Sequence, residues 1–146
     1  MTKEETLTAY LALFNNLETG LTTDSLTTLT TSDVHFIDPF NDVKGQASMY
    51  RVLAHFKQQV ASPRFEIQQI AWSADTCFLR WEFTGRLPKL GEWSFPGMTE
   101  LHFTHDGLIS LHQDHWDAGQ HFYQKLPIVG SALRFIKRKL QINSNI

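Results

Sequence analysis

Four side chains of this 146-residue chain have the types and spacing for acid–base work. Asp114 and His112 stand two residues apart in a stretch, 108–116, that reads as a β-strand, so they share one of its faces. A carboxylate that accepts a hydrogen bond from an imidazole fixes the ring's tautomer and raises its basicity. Such groups are costly in mid-strand on a buried face unless they are paired, which points to a pocket or a polar contact. The plainer reading is a solvent-facing stretch or a subunit interface. Asp38, followed by Pro39, is the second carboxylate. In apolar surroundings its pKa would move toward neutrality, which suits proton abstraction. In an ordinary Asp-Pro turn its side chain would instead bond nearby backbone amides. Tyr10 lies on the apolar face of a first helix, where its hydroxyl could donate to a ligand oxyanion or sit at the rim of a core.

Strand parity decides what faces this pair. Asp106-Gly107 is a hairpin signal. As a two-residue turn it sets His105 against Leu108, Leu101 against His112 and Thr99 against Asp114. A turn one residue longer would turn these faces over. On this pairing Glu100, His102 and His115 occupy the opposite face. Five of the seven histidines, His102, His105, His112, His115 and His121, crowd the last third of the chain. They show no spacing that brings three ligands together, so no metal is expected. Nor is there a nucleophile elbow, a phosphate-binding glycine loop or a dinucleotide fingerprint, and no cofactor is expected.

The elements that must position these groups follow from periodicity. Residues 3–18 read as a helix with Leu7, Tyr10, Leu11, Phe14 and Leu17 on one face, stopped by Gly20. A short helix is expected next, capped by Thr23 or Asp24, with Leu26 and Leu29 inward. A strand at 34–37 ends at Asp38-Pro39, and a loop runs from Phe40 to Lys44. A helix over 46–60 buries Met49, Leu53, Phe56 and Val60. Pro63 breaks the chain, and strands follow at 65–70, 77–85, 93–104 and 108–116. The last element is a helix over 128–140 with Ala132, Phe135 and Ile136 inward. The order gives α+β, with a four-strand antiparallel meander and helices on one face of a curved sheet.

Composition sets the outer limits. Hydrophobic residues make up 42% and aromatics 12%, with 11 Phe and 4 Trp, enough for a core and for the wall of a cavity. Phe14, Phe36, Phe56, Trp81 and Trp116, with Thr99 and Leu101, are its candidate ligand-binding lining. Charged residues are 19%, below the usual quarter, so part of the surface is polar and uncharged or covered by another subunit. The net charge of −2 draws no nucleic acid. Cys77 is the single cysteine and can form no internal disulfide. No apolar run is long enough to span a bilayer, the start MTKEETLTAY lacks the pattern of a signal peptide, and a cytoplasmic location is expected. Arg134, Lys137, Arg138 and Lys139 make the C-terminal helix basic. Such a helix could touch a membrane surface, but more often packs its stripe on the domain or on a partner and leaves its charges in water.

The tract His35-Phe36-Ile37-Asp38-Pro39-Phe40 followed by Gly45, the ending Asp114-His115-Trp116-Asp117 and the order of elements resemble the nuclear transport factor 2-like superfamily. Within it they are most similar to the SnoaL-like polyketide cyclase and ketosteroid isomerase group, over roughly residues 3 to 125. The resemblance implies one domain over 1–146: a cone-shaped curved antiparallel sheet with the N-terminal helices on its concave face, and an appended amphipathic basic helix at 127–140. In ketosteroid isomerases an Asp-Pro after the first strand supplies the general base, as Asp38-Pro39 would here, and a tyrosine of the first helix, matched by Tyr10, is an oxyanion donor. Thr99 stands where those enzymes carry an aspartic acid as second donor. In SnoaL-like cyclases an acidic residue of the last strand acts as acid and base, and Asp114 falls there. The implied function is a cofactor-free isomerase, cyclase or dehydratase acting on a small hydrophobic carbonyl compound. The alternative is a non-catalytic ligand-binding or interaction module of the same fold. The resemblance also implies a homodimer through the outer sheet face.

Overall fold

The computed structural model describes residues 1–142. They fall into two compact units, one made of Met1–Trp116 and one beginning at Asp117.

The first unit opens with α1 (Lys3–Phe14). Its start is fixed by a reciprocal cap. The Glu5 N–H donates to the Thr2 hydroxyl at 3.1 Å, and the Thr2 N–H donates to the Glu5 carboxylate at 2.9 Å. Thr6, Leu7, Tyr10 and Leu13 form its buried face. The helix ends at Asn15, earlier than periodicity suggests, and a single turn, α2 (Leu17–Gly20), follows. The expected second helix at Thr23–Leu29 is a run of turns, yet Leu26 and Leu29 are buried as anticipated. Their inward side chains satisfy the core without a regular helix between them.

Next come β1 (Thr30–Ile37), β2 (Asp42–Lys44), α3 (Gln46–Gln59), β3 (Ala61–Ser73), β4 (Thr76–Leu87), β5 (Gly91–Phe103) and β6 (Ile109–His115). The strands form one six-stranded sheet in the order β2-β1-β6-β5-β4-β3. The meander β3 to β6 is antiparallel, as its hairpins require. The sheet as a whole is mixed, however, because β1 pairs parallel with β6. The chain between them, through α3 and four strands, is long enough to return in the same direction. The short strand β2 replaces the anticipated loop and pairs back on β1. Pro63 sits inside β3 instead of ending the chain segment before it. It is tolerated there because the pairing with β4 is irregular between Ala61 and Arg64.

Alternation is strict along β5, where Trp93, Phe95, Gly97, Thr99, Leu101 and Phe103 are buried and most of the residues between them are exposed. On β4, Leu79, Trp81 and Phe83 share the inner face. Helix α1 meets that face through Tyr10 and Phe14, whose rings lie 5.8 and 5.3 Å from the His112 ring. Helix α3 meets it through Phe56, 5.9 Å from Phe83. Gly97 is paired with Trp81, and the indole occupies the space a Cβ would need.

The hairpin between β5 and β6 reaches the anticipated pairing by a different route. The Thr104 N–H donates to the Leu108 carbonyl at 2.7 Å, and Gly107 takes φ of +81°. The turn is therefore one residue longer than a two-residue turn. That alone would reverse the faces. A bulge between His102 and Phe103 on β5 and their partners on β6 adds a residue back, so Leu101 faces His112 and Thr99 faces Asp114 after all.

In the second unit Asp117 caps α4 (Ala118–His121) by accepting from the Gln120 N–H at 2.9 Å. A 3-10 turn at Tyr123–Lys125 precedes α5 (Pro127–Leu140), with Pro127 in its first turn. Ala132, Phe135 and Ile136, expected to face inward, are exposed, and only Gly130 is buried along the helix. The short segment before α5 is too small to cover its apolar face.

Replacing Gly97 with Ala would push the Trp81 indole off its seat, and overpacking of this kind costs about 1–3 kcal/mol. We expect Gly97→Ala to unfold at lower urea than the wild type. An unchanged midpoint would mean that the Trp81–Gly97 contact is not tight.

Candidate active site

Strand parity on β5 and β6 and one face of α1 bring five side chains into a continuous chain of hydrogen bonds. Trp81 Nε1–H donates to Thr99 Oγ1 at 2.7 Å. The Thr99 hydroxyl donates to Asp114 Oδ1 at 2.6 Å. His112 Nε2 lies 2.8 Å from the same Oδ1, and His112 Nδ1 lies 2.8 Å from the Tyr10 hydroxyl. A carboxylate only accepts, so in the neutral ring the proton sits on Nε2 and Nδ1 takes the hydrogen bond from Tyr10. Tyr10 suits that role. Burial pushes its pKa well above the ordinary tyrosine value and the charge of Asp114 adds to the rise, so the hydroxyl keeps its proton. Every donor in the chain thus points toward Asp114 Oδ1. Among the described residues, no donor reaches Oδ2.

Aromatic rings hold the chain in place. Phe14 stacks on the His112 ring at 5.3 Å and 23°, and Phe36 lies 4.7 Å from it. The His112 side chain is 4% exposed, whereas that of Asp114 is 16% exposed. Asp114 is therefore the link nearest to solvent, with an imidazole and a hydroxyl behind it.

Asp38 lies at the end of β1, close enough to Asp114 to feel its charge. Its Oδ1 accepts from the N–H groups of Phe40 at 2.8 Å and Asn41 at 2.7 Å, and from the Asn41 side-chain amide at 3.1 Å. This is the turn geometry weighed as the plainer reading. Burial nevertheless pushes its pKa up, against the pull of the two backbone amides, and Asp114 adds to the rise.

The remaining candidates divide. Thr99 and Trp81 are links of the chain. Leu101, opposite His112, is wholly buried and offers a ligand no surface. Phe56 packs against Phe65 and Phe83 instead of against His112. Trp116 stacks on Phe95 at 4.1 Å and meets Phe40 edge-on at 5.6 Å. Sequence reasoning missed Asn41, which ties down Asp38. A polar residue three positions after an Asp-Pro is a usable signal for such a turn. It also missed Trp81 as a donor, because nothing in strand parity says where an indole N–H will reach. A cavity of about 520 Å³ lies away from this chain, between Asn15–Thr19 and Ser62–Glu66.

On the outer face Glu100 accepts from His102 at 2.8 Å and has His115 at 3.5 Å, as parity predicts. The hydrogen bond from His102 holds the Glu100 carboxyl below the usual range. Among the described residues, no three His, Cys, Asp or Glu side chains are grouped to hold a metal ion. Nor is any described helix long and apolar enough to cross a membrane.

A family model for a SnoaL-like domain matches residues 7–112. No curated protein matches the chain. Among solved structures, a hypothetical protein with a ketosteroid isomerase-like fold from Catenulispora acidiphila, in complex with trimethylamine, aligns with a TM-score of 0.72 at 20% identity. That alignment covers 87% of this chain and 96% of that one. An LEH-like epoxide hydrolase from M. tuberculosis aligns at 0.66 and 16% identity, over 96% of this chain and 95% of its own. A putative polyketide cyclase from Sinorhizobium meliloti aligns at 0.64 and 16% identity, over 79% of this chain and all of its own (100%). At these identities the likeness is one of fold.

The raised pKa of Asp38 has a consequence for stability. A carboxyl that titrates higher in the folded than in the unfolded chain favours folding in its protonated form. That contribution is complete below the unfolded value of about 4 and is lost as pH rises through the folded value. We therefore expect wild-type stability, measured against Asp38→Asn by urea unfolding, to fall as pH is raised from about 4. A difference that stays flat, or that grows with pH, would show that the amides of Phe40 and Asn41 outweigh burial.

Proposed function

The chain belongs to the SnoaL-like domain family, and we propose on that footing that it is a cofactor-independent enzyme moving a proton on a hydrophobic, carbonyl-bearing small molecule. What carries the reading is the set of hydrogen bonds converging on Asp114 Oδ1 with Oδ2 left open. Asp114 is the general base. Its open oxygen takes a proton from the carbon next to the substrate carbonyl and returns it, to the same carbon or another. Thr99 and His112 fix the carboxylate's orientation, and Tyr10 fixes the ring. Tyr10 is thus a positioning residue, because its hydroxyl is spent on His112 and is not offered to a ligand. Asp38, whose pKa burial pushes up, can donate a hydrogen bond to the developing enolate in its protonated form. The substrate meets Asp114 from its more exposed side.

A second reading has its own support. His112 and Phe36 are 3% and 2% exposed, so the space beside the imidazole is already filled by the protein's own side chains. A cone filled in this way fits a non-catalytic binding or interaction module.

Deuterium exchange separates the two. Cyclic enones, steroids and polyketide-like aromatics that raise the unfolding temperature would be incubated with the protein in deuterated water. We expect exchange at the carbon next to the carbonyl with wild type, and a fall of about a hundredfold or more in Asp114→Asn. Tyr10→Phe and Thr99→Val should lower the rate less and alter its pH profile. Asp38→Asn, which keeps a donor, should lose less than Asp38→Leu. Saturable binding without exchange would support the binding module and end the enzymatic reading.

A further inference from the structure

The charge of the chain is divided unevenly. From Asp117 onward there are five cations, Lys125, Arg134, Lys137, Arg138 and Lys139, against the single acid Asp117. The whole chain is −2, so this segment is +4 and residues 1–116 carry −6. The cations are also ordered in space. At about 100° per residue, Phe135, Ile128, Ile136, Val129, Leu140 and Leu133 fall within one arc of roughly 160° on α5. Lys137, Arg134 and Arg138 fall together on the opposite side. Lys139 lies inside the apolar arc, and its ammonium folds over the Phe135 ring, 4.6 Å from the centroid. A long cation at an apolar boundary behaves in this way when its stem lies on apolar surface and its head turns to polar surroundings.

Among the described residues the apolar arc is largely exposed, with Leu133 half-buried. Ile128, Leu140 and Ile142 are 86%, 81% and 88% exposed, at both ends of the helix and beyond it. At 14 residues α5 is too short to span a bilayer but suited to lie along one.

We propose that α5 binds flat on an anionic lipid bilayer, with the apolar arc in the headgroup–acyl boundary and Arg134, Lys137 and Arg138 against lipid phosphates. Charge complementarity selects this occupant. No acid lies between Ala118 and Ile142, so nothing on the segment itself neutralises its cations. An anionic bilayer supplies negative charge and apolar depth in one plane, matching the two sides of the helix. The net −6 of residues 1–116 is repelled by such a surface, so attraction must come from this segment, and contact is reversible and salt-dependent.

The test is flotation of the full chain with vesicles of seven parts phosphatidylcholine to three parts phosphatidylglycerol, beside vesicles of phosphatidylcholine alone. The wild type should rise with the anionic vesicles at low salt, bind the neutral ones at least about tenfold more weakly, and be released at high salt. Each basic residue near an anionic surface contributes about fivefold in binding. The triple variant R134Q/K137Q/R138Q should therefore bind about a hundredfold more weakly. Ile128→Ser with Leu140→Ser should also lose binding while keeping the charge. The double-serine variant should unfold at the wild-type temperature, since Ile128 and Leu140 are exposed. The triple variant gives up the bonds of Arg134 to the Gln124 carbonyl and the Ser131 hydroxyl, so K137Q/R138Q, which keeps them, is read beside it and should also bind more weakly than wild type. A wild type that stays in solution with both compositions would overturn the proposal. So would flotation that survives the triple substitution or ignores salt. A triple variant that changes the number of chains per particle instead of vesicle binding would point to a second copy as the occupant and would overturn it equally.

Discussion

A carboxylate set among aromatic rings is tolerable only when its charge is met by donors, and here the donors meet it on one oxygen. Trp81, Thr99, His112 and Tyr10 form a line of hydrogen bonds in which each donor is oriented by the next. The arrangement depends on strands β4, β5 and β6 keeping their register, because a slip of one residue would turn Thr99 and Asp114 to opposite faces. It also depends on α1 presenting Tyr10 inward, which the cap formed by Thr2 and Glu5 helps to set by fixing where the helix begins. Fold and site therefore rest on one constraint: inner-face alternation maintained across three strands.

The register of β5 and β6 shows how small features combine. Gly107, with its positive φ, makes the hairpin turn one residue longer than its Asp-Gly signal suggests. The bulge beside Phe103 restores the parity. Each alone would take Asp114 out of the interior. Gly97 contributes in a different way, since the absence of a side chain lets the Trp81 indole lie across β5 and reach Thr99.

Much of this was legible in the chain. Period-two alternation placed Leu79, Trp81 and Phe83 together and put Glu100 on the face opposite Thr99. The pairing of Thr99 with Asp114 rested on a two-residue turn that the structure does not have, and it holds only because the bulge restores the parity. Helical periodicity placed Tyr10 inward. What was not legible involves partners distant in sequence. The parallel pairing of β1 with β6 depends on chain far outside either strand, and β2 is too short to carry a pattern. The hydroxyl of Tyr10 reaches a histidine 102 residues away. Its use there, instead of toward a ligand, could not be read from helix spacing. The amphipathic character of α5 was plain from sequence, but periodicity cannot say whether an apolar stripe is covered. For Asp38 the structure shows the turn reading. It is a turn residue held by amides, and burial still favours its protonated form.

The central claim is that His112 is locked with its proton toward Asp114 and its other nitrogen accepting from Tyr10. Nitrogen-15 NMR of the labelled histidine ring tests this without a substrate. The account predicts a single tautomer protonated on Nε2, with an Nδ1 signal that moves in Tyr10→Phe while the Nε2 proton stays in place. A ring protonated on Nδ1, or one averaging between the two tautomers, would contradict it.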